Sequence, residues 1–243
     1  MKLRVLTYNI HKCIDGIDRQ YTPERIAQVI EQQGPDIALL QEVDSGVHRS
    51  NQDHQVDWLG ERLEYQHRAF QPNVTVGSGC YGNAILSRYP IENRCDIDLT
   101  MRLKKTRRCL VAGIRLPDNR LLDVACLHLG LAGFERKWQL RKLLKTLGGD
   151  CGDSMDSPPL VVGGDFNDVW LSLGRVMRSA SFSEAGRHRT FPASIPMVPL
   201  DRVFFRGSVR CLASFSPQEP PVRGASDHRP IIADFLVSDA SGP

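Results

Sequence analysis

Five apolar stretches of this sequence each run into a compact polar group: Tyr8-Asn9-Ile10-His11, Leu40-Gln41-Glu42, Cys126-Leu127-His128-Leu129, Gly163-Gly164-Asp165-Phe166-Asn167 and Ser226-Asp227-His228-Arg229-Pro230. Taken singly, an Asn or a His in such a place is explained as a turn residue or a cap. Together they call for another reason. Carboxylates gathered in one cleft repel each other and are pushed up in pKa, a penalty that a divalent cation removes. Oxygen donors from Asp, Glu and Asn, without thiolates, suit a hard ion such as Mg2+ or Mn2+. Mg2+ typically takes one or two carboxylates and leaves its other positions to water and substrate phosphate. With imidazoles close by, the chemistry implied is hydrolysis of a phosphate ester. The histidines would stabilise charge on the phosphate while a carboxylate orients the attacking water.

Such groups work only if rigid elements hold them, and ligands in sheet proteins gather beyond strand ends. Leu3–Asn9 reads as a strand, followed by a helix that starts at Thr22-Pro23 and stops at Gly34-Pro35. Asp36–Gln41 is a continuous apolar run of strand length, so the opening is a β-α-β unit. A helix is expected over Asp53–Leu63, then strands at Tyr65–Phe70, Gly82–Ser87, Cys109–Leu116 and Leu121–Leu127. Turn chemistry at Pro117-Asp118-Asn119-Arg120 makes the last two a hairpin. Helical spacing of Trp138, Leu140, Leu143, Leu144 and Leu147 marks Glu135–Leu147, and a loop is expected over Gly148–Ser157. Leu160-Val161-Val162 is a further buried strand, followed by a helix at Trp170–Ser179 and strands at Arg202–Phe205, Val209–Ala213 and Pro230–Val237. A frayed tail is expected from Ser238 to Pro243. The segment Leu121–Asn167 repeats the layout of Leu3–Glu42 without repeating its residues. Two similar halves packed face to face, a β-sandwich flanked by helices, follow from that echo.

Composition limits the alternatives. The chain has 243 residues, 41% hydrophobic and 24% charged, with 31 Lys+Arg against 28 Asp+Glu and a formal net charge of +3. That is an ordinary globular composition, and the charge is too small for a protein that coats nucleic acid non-specifically. No composition shift or long linker marks a domain boundary, so residues 1–243 read as a single domain. An apolar core of a secretory leader is absent from the Met1–Tyr8 opening, and no run approaches the roughly 18 residues of a membrane span. The seven cysteines are scattered and lack a C-x-x-C pair, which fits reduced thiols in a cytoplasmic protein. No obligate protein partner is implied.

With the motifs in place, the sequence resembles the endonuclease/exonuclease/phosphatase superfamily, the fold of deoxyribonuclease, AP endonuclease and neutral sphingomyelinase. The resemblance runs from Thr7-Tyr8-Asn9 to Ser226-Asp227-His228-Arg229-Pro230, with the motifs in the family's order. Asn9-Ile10-His11-Lys12, Tyr81–Arg88, His128-Leu129-Gly130-Leu131 and Arg189-Thr190-Phe191-Pro192 look like a bacterial branch of it. The resemblance implies an α+β fold, a four-layer α/β/β/α sandwich of two packed mixed sheets flanked by helices. It implies Mg2+, with Mn2+ able to substitute, held by Glu42 with Asn9 beside it and by Asp227. Asp165 and Asn167 would position the water and the scissile phosphate. His228 would contact the phosphate and move a proton, oriented by Asp201, and His128 would be the second histidine at the phosphate. Whether Asp165 or His228 is the base is left open for so coupled a site.

The substrate expected is a phosphodiester, with DNA placed modestly ahead of a phospholipid headgroup or a small phosphodiester. Gln41-Glu42-Val43-Asp44 departs from the Q-E-T-K of AP endonucleases. Gly164–Asp168 and Leu200-Asp201-Arg202 likewise depart from inositol-phosphate phosphatases. A nuclease groove would draw on Arg102–Arg108, Arg187–Arg189 and Arg202/Arg206. Within the run Lys104-Lys105-Thr106-Arg107-Arg108, Arg108 is the candidate substrate contact; Asn83 is another, though Gly-Asn reads equally as a turn. His11 and Lys12 either line the pocket or point to solvent, while His48, His54, His67 and His188 read as surface or loop residues. A non-catalytic binding module of this fold would have shed some of the acids and histidines, and every matched position keeps its chemistry.

Overall fold

The computed structural model describes residues 1–149 and 158–238. The loop expected at Gly148–Ser157 falls mostly outside the described residues, as does the tail beyond Ser238. In chain order the elements are β1 (Lys2–Asn9), α1 (Pro23–Gln33), β2 (Ile37–Ser45), α2 (Gln55–Arg62), β3 (His67–Val76), β4 (Gly79–Ser87), β5 (Ile91–Asp98) and β6 (Arg108–Arg115). There follow β7 (Leu121–His128), α3 (Gly133–Gly149), β8 (Leu160–Asp165), α4 (Leu173–Ser179), β9 (Ser183–Glu184), β10 (Asp201–Arg206), β11 (Val209–Phe215) and β12 (Ile231–Val237).

The strands form two mixed six-stranded sheets, ordered β11-β12-β1-β2-β4-β3 and β5-β6-β7-β8-β10-β9. In each sheet the two middle strands are parallel and joined through a helix: β1-α1-β2 in one, β7-α3-β8 in the other. Parallel neighbours need such a crossover, and every other pairing is antiparallel. The echo between the two halves of the sequence is thus an echo of topology.

Side chains that alternate along each strand build three apolar layers. Val5, Ile37, Leu39 and Ile85 point between the sheets and meet Leu110, Ala112, Val124, Cys126 and Val161. Their neighbours Leu6, Tyr8, Ala38 and Leu40 point outward under Ile26, Ala27, Val29 and Ile30 of α1. On the far side, Ala125, Leu127, Val162 and Phe204 lie under Leu140, Leu143 and Leu147 of α3 and under Leu173 and Met177 of α4. Together these layers make an α/β/β/α sandwich. Gly163 lets the sheets approach, since a Cβ there would lie 2.8 Å from Leu39 Cδ1 and 3.2 Å from Thr7 Cβ.

Helix α1 begins at Pro23 and ends where Gly34 takes the left-handed conformation at φ 55°. The final helix differs from expectation: α4 starts at Leu173, and Trp170 stands exposed in the loop before it. Trp138, counted in the apolar stripe of α3, also faces outward. Strand β5 has no counterpart in the sequence reading, because Ile91-Glu92-Asn93-Arg94-Cys95-Asp96-Ile97-Asp98 is an edge strand with little to bury. The six described cysteines are free. Among the described residues no helix is long and apolar enough to cross a membrane.

Candidate active site

Strand register brings the polar groups to one end of the sandwich. Asn9 pairs with Gln41 at the end of β1, His128 pairs with Asp165 where β7 and β8 end, and Asp201 opens β10 opposite Asp165. Asp227 and His228 lie just before β12, whose first residue, Ile231, pairs with Thr7. The two sheets meet here through side chains, the Asn9 carboxamide donating to Asp165 Oδ2 at 3.1 Å. Ser226 ties the last loop in, donating to Asn9 O at 2.7 Å and accepting from the His228 amide at 3.2 Å.

Glu42 reaches the cleft by a distortion. Strand β2 slips its register against β4 between Leu40 and Val43, and Glu42 sits in the left-handed region at φ 56°. Asn167 holds the equivalent place after β8, at φ 50°, where its amide N–H donates to Asp165 Oδ1 and its side chain to Leu129 O, each at 2.9 Å. Both conformations are rare for residues with a Cβ and are kept where a site needs them.

At the centre, Asp165 is buried between two imidazoles, with His128 Nε2 3.4 Å and His228 Nε2 3.8 Å from its Oδ2. Burial pushes its carboxyl up to about 7, although the charge of His228 pulls the other way. His228 donates from Nδ1 to Asp201 Oδ2 at 2.7 Å. Burial alone would lower its pKa, but the charge and hydrogen bond of Asp201 override that and raise it to about 10. Phe191 packs against its ring at 5.0 Å. His128 goes the opposite way: burial, then the nearby Arg107, hold it well below the ordinary histidine value. The cleft therefore offers one cationic imidazole, one neutral imidazole and between them a carboxyl able to take or release a proton near neutrality.

Glu42 has Lys12 for a partner, its ammonium paired with Oε2, while His128 Nδ1 lies 3.8 Å from Oε1. Burial raises the Glu42 pKa, yet His128 and Lys12 outweigh it and hold the carboxyl at about 2. Lys12 thus lines the pocket. His11 stays close too, 3.8 Å from Asp227 Oδ1, and its ring is hydrogen-bonded to Ile14 O at 2.8 Å. Among the described residues, the ionisable donors that could close on one ion are Asp165, Asp201 and His228, whose ligand atoms lie within 4.8 Å of one another. His228 Nδ1 is already committed to Asp201, so this trio is better described as a proton relay. Of the expected metal ligands Glu42, Asn9 and Asp227, Glu42 carries the Lys12 ammonium, and all three offer oxygen donors. A negative pocket that accepts an ammonium, without thiolates, fits a hard cation.

Two sequence candidates stand elsewhere. Asn83 is neither at a turn nor in the open cleft: it is fully buried within β4, donating to Gln71 Oε1, Arg108 O and Cys126 O at 3.2, 3.0 and 3.4 Å. Arg108 turns its guanidinium to Pro72 O at 3.1 Å. Arg107 is the residue of that run that bears on the site, buried near His128, and two adjacent arginines give no sequence signal to choose between them. Arg202 is withdrawn from any phosphate groove: it is 1% exposed, held by Glu184 Oε1 at 2.8 Å and Asp168 Oδ2 at 3.4 Å. His48 and His54 are exposed as expected, whereas His188 is half-buried against Ser214 at 2.8 Å.

Comparison with known proteins gives a consistent picture. The model of the Endonuclease/Exonuclease/phosphatase family matches residues 6–228. The chain is 30% identical to the uncharacterised protein YbhP of Escherichia coli K12, covering 96% of this chain and 95% of that one. An endonuclease/exonuclease/phosphatase from Beutenbergia cavernae superposes with a TM-score of 0.81 at 24% identity, over 98% of this chain and 72% of that one. The human Nocturnin catalytic domain, solved with a bound sulfate, superposes with a TM-score of 0.78 at 22% identity, over 98% and 94% of the two chains.

Proposed function

The chain belongs to the Endonuclease/Exonuclease/phosphatase family, and from that membership we propose that it is a divalent-metal-dependent phosphodiesterase. Members of the family are generally phosphoester hydrolases. The observation that carries the reading is Asp165, buried between a neutral and a cationic imidazole with Asp201 behind the latter. A buried carboxyl able to take up a proton near neutrality is the general base that hydrolysis requires.

Glu42, Asn9 and Asp227 would hold Mg2+, for which Mn2+ can substitute. When bound, the ion supplies charge neutralisation for the phosphate and a Lewis acid at its oxygen. The chain's own groups do the rest. Asp165, oriented by Asn9 and by the Asn167 amide, accepts a proton from the attacking water. His128, kept neutral, offers a hydrogen bond to a phosphate oxygen. His228, kept charged by Asp201, stabilises the charge that builds on the phosphate and can return a proton to the leaving oxygen.

The test is hydrolysis of bis-p-nitrophenyl phosphate. Activity should vanish with EDTA and return with Mg2+ or Mn2+. Asp165→Asn, His228→Ala and Glu42→Gln should each lower turnover by at least ~10²-fold. Near-native turnover in any of the three would sink the assignment. A panel of plasmid DNA, single-stranded DNA, RNA, abasic DNA, sphingomyelin and phosphatidylinositol phosphates then ranks natural diesters, DNA among them.

A further inference from the structure

Large apolar side chains that the fold fails to cover are concentrated on four segments of the β5–β9 sheet. Leu103 is 94% exposed, Trp170 85%, Leu131 77% and Ile195 71%, with Phe134 and Met197 close behind. Register places all four segments at the active-site end. The 99–107 connection enters β6, whose Cys109 pairs with Leu127 beside His128. The Leu131 loop leaves β7 after His128, the Trp170 loop leaves β8 after Asp165, and the Ile195 loop leads into β10 at Asp201. Lys104 joins two of the tips, its ammonium lying 5.3 Å from the centre of the Phe134 ring.

These tips are held, not frayed. Gly130 N donates to Gln139 Oε1 at 2.8 Å beneath Leu131. Asp168 accepts from Ser172 Oγ at 2.9 Å and from Leu173 N at 2.7 Å, fixing the turn that carries Trp170. Ala193 N donates to Asp227 O, and Arg229 Nε to Ala193 O, each at 2.7 Å, below Ile195. Apolar groups displayed on anchored loops need a partner that takes them out of water.

Charge says which partner. Within residues 101–108, 130–138, 168–175 and 186–198, Arg102, Lys104, Lys105, Lys137, Arg175, Arg187 and Arg189 are exposed, while the carboxylates, Glu135 and Asp168, are both buried. The rim is wholly cationic in a chain whose net charge is only +3. A nucleic acid satisfies the cations and could stack on Trp170 and Phe134, but it leaves the four aliphatic tips, Leu103, Leu131, Ile195 and Met197, in water. An anionic bilayer satisfies both, taking apolar tips into the acyl boundary and cations among its phosphates. We propose that this rim docks the protein on an anionic phospholipid surface and presents the cleft to phosphoester headgroups there. The second half of that statement rests on the phosphodiesterase reading; the docking does not.

The experiment is vesicle flotation of the full chain and of the triple variant Leu103→Ser, Trp170→Ser, Ile195→Ser, none of which belongs to the catalytic machinery. Vesicles are phosphatidylcholine alone or with about 30% phosphatidylglycerol. The native chain should float with the anionic vesicles, and the variant should bind them at least tenfold more weakly. Its circular dichroism and its turnover of bis-p-nitrophenyl phosphate should be unchanged. Failure of the native chain to float, or equal flotation of the variant, overturns the docking. So does a variant that loses single-stranded DNA binding while the native chain ignores vesicles. Flotation without hydrolysis of any diester leaves the docking standing and removes the phosphodiesterase reading instead.

Discussion

Asp201→Asn isolates one charge in the cleft. The carboxamide is nearly the shape of the carboxylate and can still accept from His228 Nδ1, so the 2.7 Å contact survives and the charge does not. His228 lies at about 10, some 3.5 pH units above its ordinary 6.5, and the charge and hydrogen bond of Asp201 are the largest influences raising it. If Asp201 accounts for a little over half of that rise, its loss lowers the imidazolium by ~2 pH units, or about 3 kcal/mol. Above the new value His228 is neutral and cannot act as the cationic group. The alkaline limb of kcat/KM should therefore move down by ~2 pH units, with turnover falling ~10-fold at pH 9 and little changed at pH 6. A ring-nitrogen NMR titration of His228 in EDTA-treated protein should show the same displacement. An unmoved titration refutes the electrostatic argument. A titration that moves while the rate profile stays put refutes the role given to His228.

Asp123 in β7 is pushed up to about 6 by burial, with Arg206 offsetting part of that. Because the folded state then holds this proton more tightly than the unfolded one, the contribution of Asp123 to stability should be most favourable below pH ~4, fall as pH rises to about 6 and stay level above it. Asp123→Asn should add about 1–2 kcal/mol at pH 8, after allowing for partial exposure, and nothing at pH 3.5; equal gains in urea melts at both would contradict this. Gly163→Ala should cost about 1–3 kcal/mol, since its Cβ would lie 2.8 Å from Leu39 Cδ1 and force the sheets apart; an unchanged urea midpoint would refute that closeness. Asn83→Ala breaks three hydrogen bonds in the buried interior and should cost about 2–4 kcal/mol. A loss below ~1 kcal/mol would show that those bonds do not hold the sheets together.

Much of this architecture is written in local signals. Thr22-Pro23 and Gly34 delimit α1, and the apolar runs at Asp36–Gln41 and Leu160–Val162 mark the buried parallel strands. The polar groups that end those strands are legible for the same reason, since a strand end fixes where its next residue points. What escaped lies where that logic fails. Strand β5 is an edge whose residues are nearly all solvated, so it carries no pattern. Asn83 follows a glycine, which suggests a turn, while its real partners come from β3, β6 and β7. Arg202 reads as a cation for phosphate until Glu184 and Asp168 are seen to surround it. Lys12 takes its place at Glu42 through a left-handed run at His11, Lys12 and Cys13 that no glycine announces.

The left-handed backbone at Glu42 also bears on how this protein would respond to engineering. Glycine is at ease where Glu42 is strained, so Glu42→Gly would relieve about 1 kcal/mol of backbone energy, yet it would leave the Lys12 ammonium in the cleft without its carboxylate. The two effects oppose each other, so melting temperature alone is a poor guide at this position. A screen meant to preserve the proposed cation site has to measure the chemistry directly.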